Sequence, residues 1–159
     1  MDRYLVLPFW LAGQHLAVAL DTVVRVLPAL ICTPLPGAPN TVLGLINVHG
    51  RVLPVVNLAQ RFAWPAAPTT LWQPFLWLKT QHRELLIPVE AVETVHSCAA
   101  QDFVPAPHPQ IPSTVLKGVV RTAEGLLLIQ DVEQVLCDAD EESLAAALAA
   151  HGNPTDASR

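Results

Sequence analysis

The residues of this chain that could bind a metal or attack a substrate are its six histidines, three cysteines and four serines. His96 and Cys98 form the only close His/Cys pair, whereas structural zinc ordinarily takes four ligands in two tight pairs. The serines lack the glycine frame of a nucleophile elbow, and no glycine-rich phosphate loop occurs. The sequence therefore predicts a protein that is not an enzyme and that uses no metal or cofactor.

The polar residues that stand out instead occupy equivalent places in a repeat. Gly44 begins an element of apolar strand, polar turn and apolar strand that reaches Asn57 thirteen positions later, and Gly118 and Asp131 have the same spacing. A two-copy repeat of short apolar strands predicts paired small β units. These four residues are expected to be structural, and the two polar ones to hold backbone groups where a strand ends.

The repeat places most of the chain in one domain, residues 1–151. Its two pseudo-repeated barrel units cover about residues 4–62 and 75–137, and an exchange of strands between them is left open. After the carboxylates at 140–142, the apolar residues take the spacing of a helix. Carboxylates are favoured at a helix start because the helix dipole is positive there. The fold class is therefore mainly β with a short C-terminal helix, and residues 152–159 are expected to be a disordered tail.

Composition restricts the class of partner. Apolar residues make up 52% of the chain and charged residues 14%, which predicts that apolar surface is left for a protein partner. The net charge of −5 argues against nucleic acid, and no apolar run is long enough for insertion into a membrane. The odd number of cysteines without CxxC spacing indicates free thiols and a cytoplasmic protein: Cys32, Cys98 and Cys137.

The first repeated element carries a resemblance to a known family. Residues 42–58, which read VLGLINVHGRVLPVVNL, resemble the central signature of the CheW-like chemotaxis coupling family. That signature runs Gly, two apolar residues, Asn-Leu-Arg-Gly, an apolar pair, Pro, two apolar residues and Asp-Leu. The connector 33–36, the segment 89–92 and the closing element 118–131 also stand in family order, so the resemblance covers about residues 4–150.

The resemblance implies two small five-stranded barrels around a shared apolar seam. It also implies a non-catalytic adaptor that couples the cytoplasmic tip of a methyl-accepting chemotaxis receptor to a CheA-type histidine kinase, through the kinase's own CheW-like regulatory domain. On the family pattern, the partner-binding residues are expected on the hairpin loop and its apolar neighbours: Asn47, His49, Gly50, Arg51, Val52 and Leu53.

Departures from the family pattern keep alternatives open. The arginine of the family's receptor-facing loop is His49 here, with Arg51 two residues later, and the family's aspartate is Asn57. Loss of the permanent charge makes a kinase-binding decoy without receptor contact a second hypothesis. A third is a small-molecule-binding module that uses the groove between the barrels, with Trp64 or Trp72 stacking on the ligand. Two other tryptophans, Trp10 and Trp77, occupy equivalent repeat positions and are expected in the core.

Overall fold

The fold is known from a computed structural model. It describes residues 3–28, 30–64, 73–104, 116–123, 125–134 and 138–150. Three sequence predictions lie outside these residues: the tail 152–159, the free thiol of Cys137 and the stacking of Trp72 on a ligand.

The described residues form twelve strands and two α-helices. The strands are β1 (Tyr4–Leu11), β2 (Gln14–Ala19), β3 (Val23–Leu27), β4 (Val42–Val48), β5 (Arg51–Val56), β6 (Phe75–Lys79), β7 (Glu84–Pro88), β8 (Ala91–Val92), β9 (His96–Cys98), β10 (Phe103–Val104), β11 (Leu116–Thr122) and β12 (Gly125–Gln130). The helices are α1 (Leu58–Arg61) and α2 (Asp138–Ala150), with 3₁₀ turns at Leu20–Thr22, Ala100–Asp102 and Val132–Gln134. The predicted mainly β fold with a short C-terminal helix is confirmed.

The strands form two sheets, and each sheet contains strands from both copies of the repeat. The five-stranded sheet has the order β3-β6-β7-β5-β4, and the seven-stranded sheet has the order β10-β11-β12-β2-β1-β8 with β9 also paired to β1. The β4–β5 hairpin of the first copy joins β7 of the second through a parallel pairing, and β12 of the second copy joins β2 of the first in the same way. The two copies therefore exchange strands, and the closure of each sheet into a barrel remains a prediction.

Three clusters of buried side chains hold the sheets together. The seam cluster draws on both sheets and on α2: Leu7, Phe9, Leu11, Leu16, Val18, Val42, Val56, Leu58, Leu76, Leu78, Leu85, Ile87, Val89, Val119, Leu128, Val132 and Leu144. The five-strand cluster contains Leu27, Ile46, Val48, Leu53, Val55, Phe75, Trp77 and Leu86. The seven-strand cluster contains Val6, Ala17, Cys98, Val120, Leu127 and Ile129.

The side-chain alternation of a strand explains this three-cluster arrangement. Along β7, Leu85 and Ile87 point into the seam cluster while Leu86 points into the five-strand cluster. A strand that is covered on both faces needs apolar side chains at its covered positions, which is why β7 reads as an apolar run from Leu85 to Pro88 after Glu84. Much of the apolar content of the chain is therefore buried in the seam cluster and in the two smaller clusters on either side of it.

Each copy of the repeat has a register shift at its first glycine. The β4–β5 ladder shifts between Val42 and Gly44, and the β11–β12 ladder shifts between Leu116 and Gly118. Gly44 has φ +156°, and a Cβ atom there would lie 2.4 Å from the carbonyl oxygen of Thr33. Gly44 therefore stands where the connector before β4 passes too close to the strand for any side chain.

The C-terminal helix α2 covers one edge of the seam cluster. Leu144 is fully buried in that cluster, and Ala147 is also buried. At its N-terminal end, Thr41 Oγ1 donates to Asp140 Oδ2 at 2.9 Å. Arg83 Nε donates to Glu141 Oε1 at 2.6 Å, which ties the helix to the turn between β6 and β7.

Candidate functional site at the β4–β5 hairpin

The loop with the family signature is a tight two-residue turn. Val48 pairs with Arg51 at the end of the ladder, so only His49 and Gly50 lie between the strands. Their φ angles are +52° and +86°, and positive φ at both central positions is typical of the type I′ turn that matches the twist of a hairpin. His49 is exposed at positive φ, a backbone conformation that is uncommon for residues other than glycine but in which Asn, Asp and His are enriched. The loop therefore presents His49 from a tight turn that is closed by the pairing of Val48 with Arg51.

Asn47 closes this turn with its side chain. Its Oδ1 accepts a hydrogen bond from the backbone N–H of Gly50 at 2.8 Å. The residue is exposed, because the alternation of β4 places Ile46 and Val48 in the core and Asn47 on the outside. One side-chain atom of Asn47, a predicted partner contact, therefore serves the turn while the side chain stays at the surface.

The two apolar neighbours of the loop differ in exposure. Val52 is partly buried, whereas Leu53 is 4% exposed and packs in the five-strand cluster beside Val55 and Trp77. Leu53 is therefore positioned to anchor the hairpin to the core, and its side chain does not reach the surface. The exposed part of the predicted contact set consists of Asn47, His49, Gly50 and Arg51.

Arg51 is held by two residues from the second copy of the repeat. Its Nη1 donates to Glu84 Oε1 at 3.2 Å, and its Nη2 donates to Glu84 Oε2. Its guanidinium carbon lies 5.8 Å from the centre of the Trp77 ring, which is within cation–π range. Trp77 Nε1 in turn donates to Glu84 Oε1 at 2.9 Å. The sequence does not predict Glu84 as part of this site. A carboxylate at the start of an otherwise apolar strand is the signal that could have indicated it.

The tryptophan predictions have mixed outcomes. Trp77 is 6% exposed and buried in the five-strand cluster as expected. Its counterpart Trp10 is only partly buried and stacks on the imidazole of His15, with ring centres 4.3 Å apart. Trp64 is partly buried, packs on the seam cluster and lies 4.7 Å from the ring of Phe62.

The polar residues that end the two repeats act on the backbone nearby. Asn57 Oδ1 accepts from the backbone N–H of Gln60 at 3.1 Å and so caps α1. Asp131 Oδ1 accepts from the backbone N–H of Glu133 at 3.1 Å. Gly118, in the second copy, lies against the ring of Phe103, to which a Cβ atom would approach within 3.0 Å. Both copies therefore use a polar cap and a closely packed glycine at equivalent positions.

Two further observations concern absent features. Within the described ranges, no three His, Cys, Asp or Glu side chains are grouped as metal ligands. The helices in the described part of the chain are too short or too polar to cross a membrane.

Comparison with known proteins is consistent with this geometry. Residues 5–140 match the family described as the CheW-like domain. The chemotaxis protein CheW of Rhizobium meliloti (strain 1021) is 26% identical over 113 residues, which is 70% of this chain and 73% of the relative. The probable chemotaxis protein CheW of Rhizobium etli is 23% identical over 146 residues, which is 89% of this chain and 92% of the relative.

A solved structure has the same fold. The crystal structure of the scaffolding protein TtCheW from Thermoanaerobacter tengcongensis superposes with a TM-score of 0.79 at 19% sequence identity. The match covers 88% of this chain and 92% of that chain. Because the family match covers most of the sequence and the sheets agree with a known example, this chain belongs to the CheW-like domain family.

Proposed function

We propose that this chain is a non-catalytic cytoplasmic adaptor of chemotaxis or a related signalling pathway. It couples the cytoplasmic tip of a methyl-accepting chemotaxis receptor to a CheA-type histidine kinase, which it binds through the kinase's CheW-like regulatory domain. The family match over residues 5–140 supports this proposal, as do the names of the relatives, which are chemotaxis proteins. The solved protein of the same fold is titled a scaffolding protein.

The observation that carries the receptor side of the proposal is the rigid, exposed turn of the signature loop. Buried Ile46, Val48 and Leu53 fix the strands on either side, and the Asn47 side chain closes the turn. A loop that is ordered before binding loses less conformational entropy when a partner docks. His49 and Arg51 are therefore presented at fixed positions, as a recognition site requires.

The exposed edge of the five-stranded sheet supports the kinase side. β3 is the edge strand of that sheet, and its Val24 and Val26 are 43% and 41% exposed. Ile31, in the connector that follows, is 85% exposed. Exposed apolar side chains along a sheet edge favour contact with another β domain, so this edge is the surface we assign to the kinase.

The identity of residue 49 favours one further candidate function. A histidine keeps a hydrogen-bond donor but gives up the permanent charge and the bidentate fork of arginine. A chain that had lost receptor contact while keeping the kinase edge would act as a kinase-binding decoy. Co-purification of the tagged chain from its own host distinguishes the two functions, because recovery of kinase and receptor together supports the adaptor and recovery of the kinase alone supports the decoy.

The substitution His49→Glu tests the loop directly. In a reconstituted complex of receptor, kinase and adaptor, we expect it to weaken receptor control of the kinase by placing a negative charge at the contact. The melting temperature should barely change, because substitutions on exposed loops ordinarily alter stability by less than about 0.5 kcal/mol. Gln101→Glu, on an exposed 3₁₀ turn beside the other sheet, is the matched control. Intact kinase control in the His49→Glu protein would refute the assignment of this loop.

A further inference from the structure

Two hairpin turns lie at the same end of the five-stranded sheet. β5 and β7 run parallel, with Val55 opposite Leu86. The turn before β5 and the turn before β7 therefore lie next to each other at the same end of the sheet. The ion pair between Arg51 and Glu84 joins the first residues of these two strands. This end of the sheet is therefore one surface built from both copies of the repeat.

The surface at this end carries exposed cations in a chain whose net charge is −5. Arg51 and Lys79 are both exposed, and so are the two histidines of the turns, His49 and His82. Lys79 lies directly opposite Glu84 in the β6–β7 ladder, so both cations belong to strands that flank β7. Carboxylates lie here too, because Glu133 accepts from the backbone N–H of Gln81 in the β6–β7 turn at 3.0 Å and Glu141 pairs with Arg83. A partner that bears a carboxylate would therefore be recognised by an individual exposed cation of this end, chiefly Arg51.

Glu84 fixes the position of Arg51 while remaining mostly hidden. Its carboxylate accepts hydrogen bonds from Trp77 Nε1 and from both terminal nitrogens of Arg51, so the guanidinium is held near the indole ring. The Glu84 side chain is 18% exposed, whereas that of Arg51 is 58% exposed. A partner can therefore reach the cation more readily than the acid that holds it.

We propose that Glu84 is a positioning residue, which holds Arg51 as the fixed cation with which this end of the sheet binds a carboxylate on the receptor. The inference rests on the proposed function, which places the receptor on the neighbouring His49. Arg51 supplies the permanent charge and the planar fork that His49 lacks. Lys79, the last residue of β6, is a second exposed cation at the same end of the sheet.

Positioning and simple charge attraction predict opposite results for Glu84→Gln. The substitution removes a negative charge, so Coulomb attraction alone would tighten the complex with an acidic partner. If Glu84 acts by holding Arg51, the freed side chain must be ordered during binding, and the complex becomes weaker. Glutamine keeps the size of the side chain and an oxygen that can accept from Trp77 Nε1, so the change at the site is mainly the loss of charge.

The test uses the full chain and the purified cytoplasmic fragment of a chemoreceptor from the same genome. We expect Glu84→Gln to raise the dissociation constant about threefold to tenfold, as for the ordering of one flexible side chain. In an Arg51→Ala background, Glu84→Gln should not change the dissociation constant further. A merely structural role of Glu84 would instead give the same loss of affinity in both backgrounds. Glu142→Gln, which removes an exposed carboxylate from α2, is the control for net charge. Melting temperatures confirm that each variant is folded.

The outcomes separate the inference from the proposed function. If the unaltered chain does not bind the receptor fragment, the proposed adaptor function fails and the inference falls with it. If the unaltered chain binds and Glu84→Gln binds equally well or more tightly, the inference alone is overturned. The inference is also overturned if Glu84→Gln lowers the affinity equally in the natural chain and in the Arg51→Ala variant, because Glu84 would then act independently of Arg51.

Discussion

Replacement of Gly44 by alanine should destabilise the protein more than a glycine-to-alanine change at any turn that has open space. Thr33 and Leu45 form an isolated bridge beside Gly44, with N–H···O distances of 2.8 and 2.7 Å. The new Cβ atom would lie 2.4 Å from the Thr33 carbonyl oxygen, which is the acceptor of one of these bonds. The connector before β4 must therefore move away from the strand.

The expected loss has two parts. Each backbone hydrogen bond of the bridge contributes about 0.5–1.5 kcal/mol to stability. An alanine at positive φ adds about 1 kcal/mol of backbone strain. Together these give a loss of about 2–4 kcal/mol in the free energy of unfolding, or roughly 5–15 °C in melting temperature for a domain of this size.

Urea unfolding at constant temperature measures this loss, and Gly13→Ala is the matched control. Gly13 also has positive φ, +75°, but no described heavy atom lies within 4 Å of its added Cβ. The control should therefore show only the strain, about 1 kcal/mol. If the two variants unfold within about 0.5 kcal/mol of each other, the close approach of the connector does not stabilise the fold, and the reasoning is wrong.

Two other substitutions test smaller features. Asn57→Ala should lower stability by about 1 kcal/mol because it removes the acceptor that caps α1, and an unchanged urea midpoint would contradict that role. Burial, with the nearby Asp102 carboxylate as a second cause, raises the pKa of the Cys98 thiol. The stability that this thiol contributes is fully present below the pKa of the unfolded thiol and is lost as pH rises through the raised value. Unfolding between about pH 8 and pH 10 should therefore show a steeper loss of stability for the natural chain than for Cys98→Ala, and parallel curves would refute this expectation.

Local features of the fold could be predicted from the sequence because short-range rules determine them. The turn at His49 and Gly50 is bounded by apolar strands, and its two-residue length restricts it to the few turn types that match the twist of a hairpin. The carboxylates near the start of α2 marked that helix because of the helix dipole. Such features depend on neighbours in the chain, and single-sequence patterns describe neighbours well.

Long-range pairing could not be predicted in the same way. No pattern in β5 or β7 specifies that these strands lie side by side, so the contact between Arg51 and Glu84 was missed. The family pattern predicts both Val52 and Leu53 as partner contacts, but adjacent residues of a strand point to opposite faces, and Leu53 is buried. The inner face of β5 is covered by the five-strand cluster, and that cover depends on the other strands of the sheet.

The exchange of strands between the copies has a consequence for synthesis on the ribosome. β2 is made before its parallel neighbour β12, whose Leu128 pairs with Leu16, and nine of the described strands lie between them in the sequence. The seven-stranded sheet therefore cannot be completed until all of these strands have been translated. Nascent chains should expose the edge of β2 during that interval, when a chaperone or a neighbouring nascent chain could pair with it first.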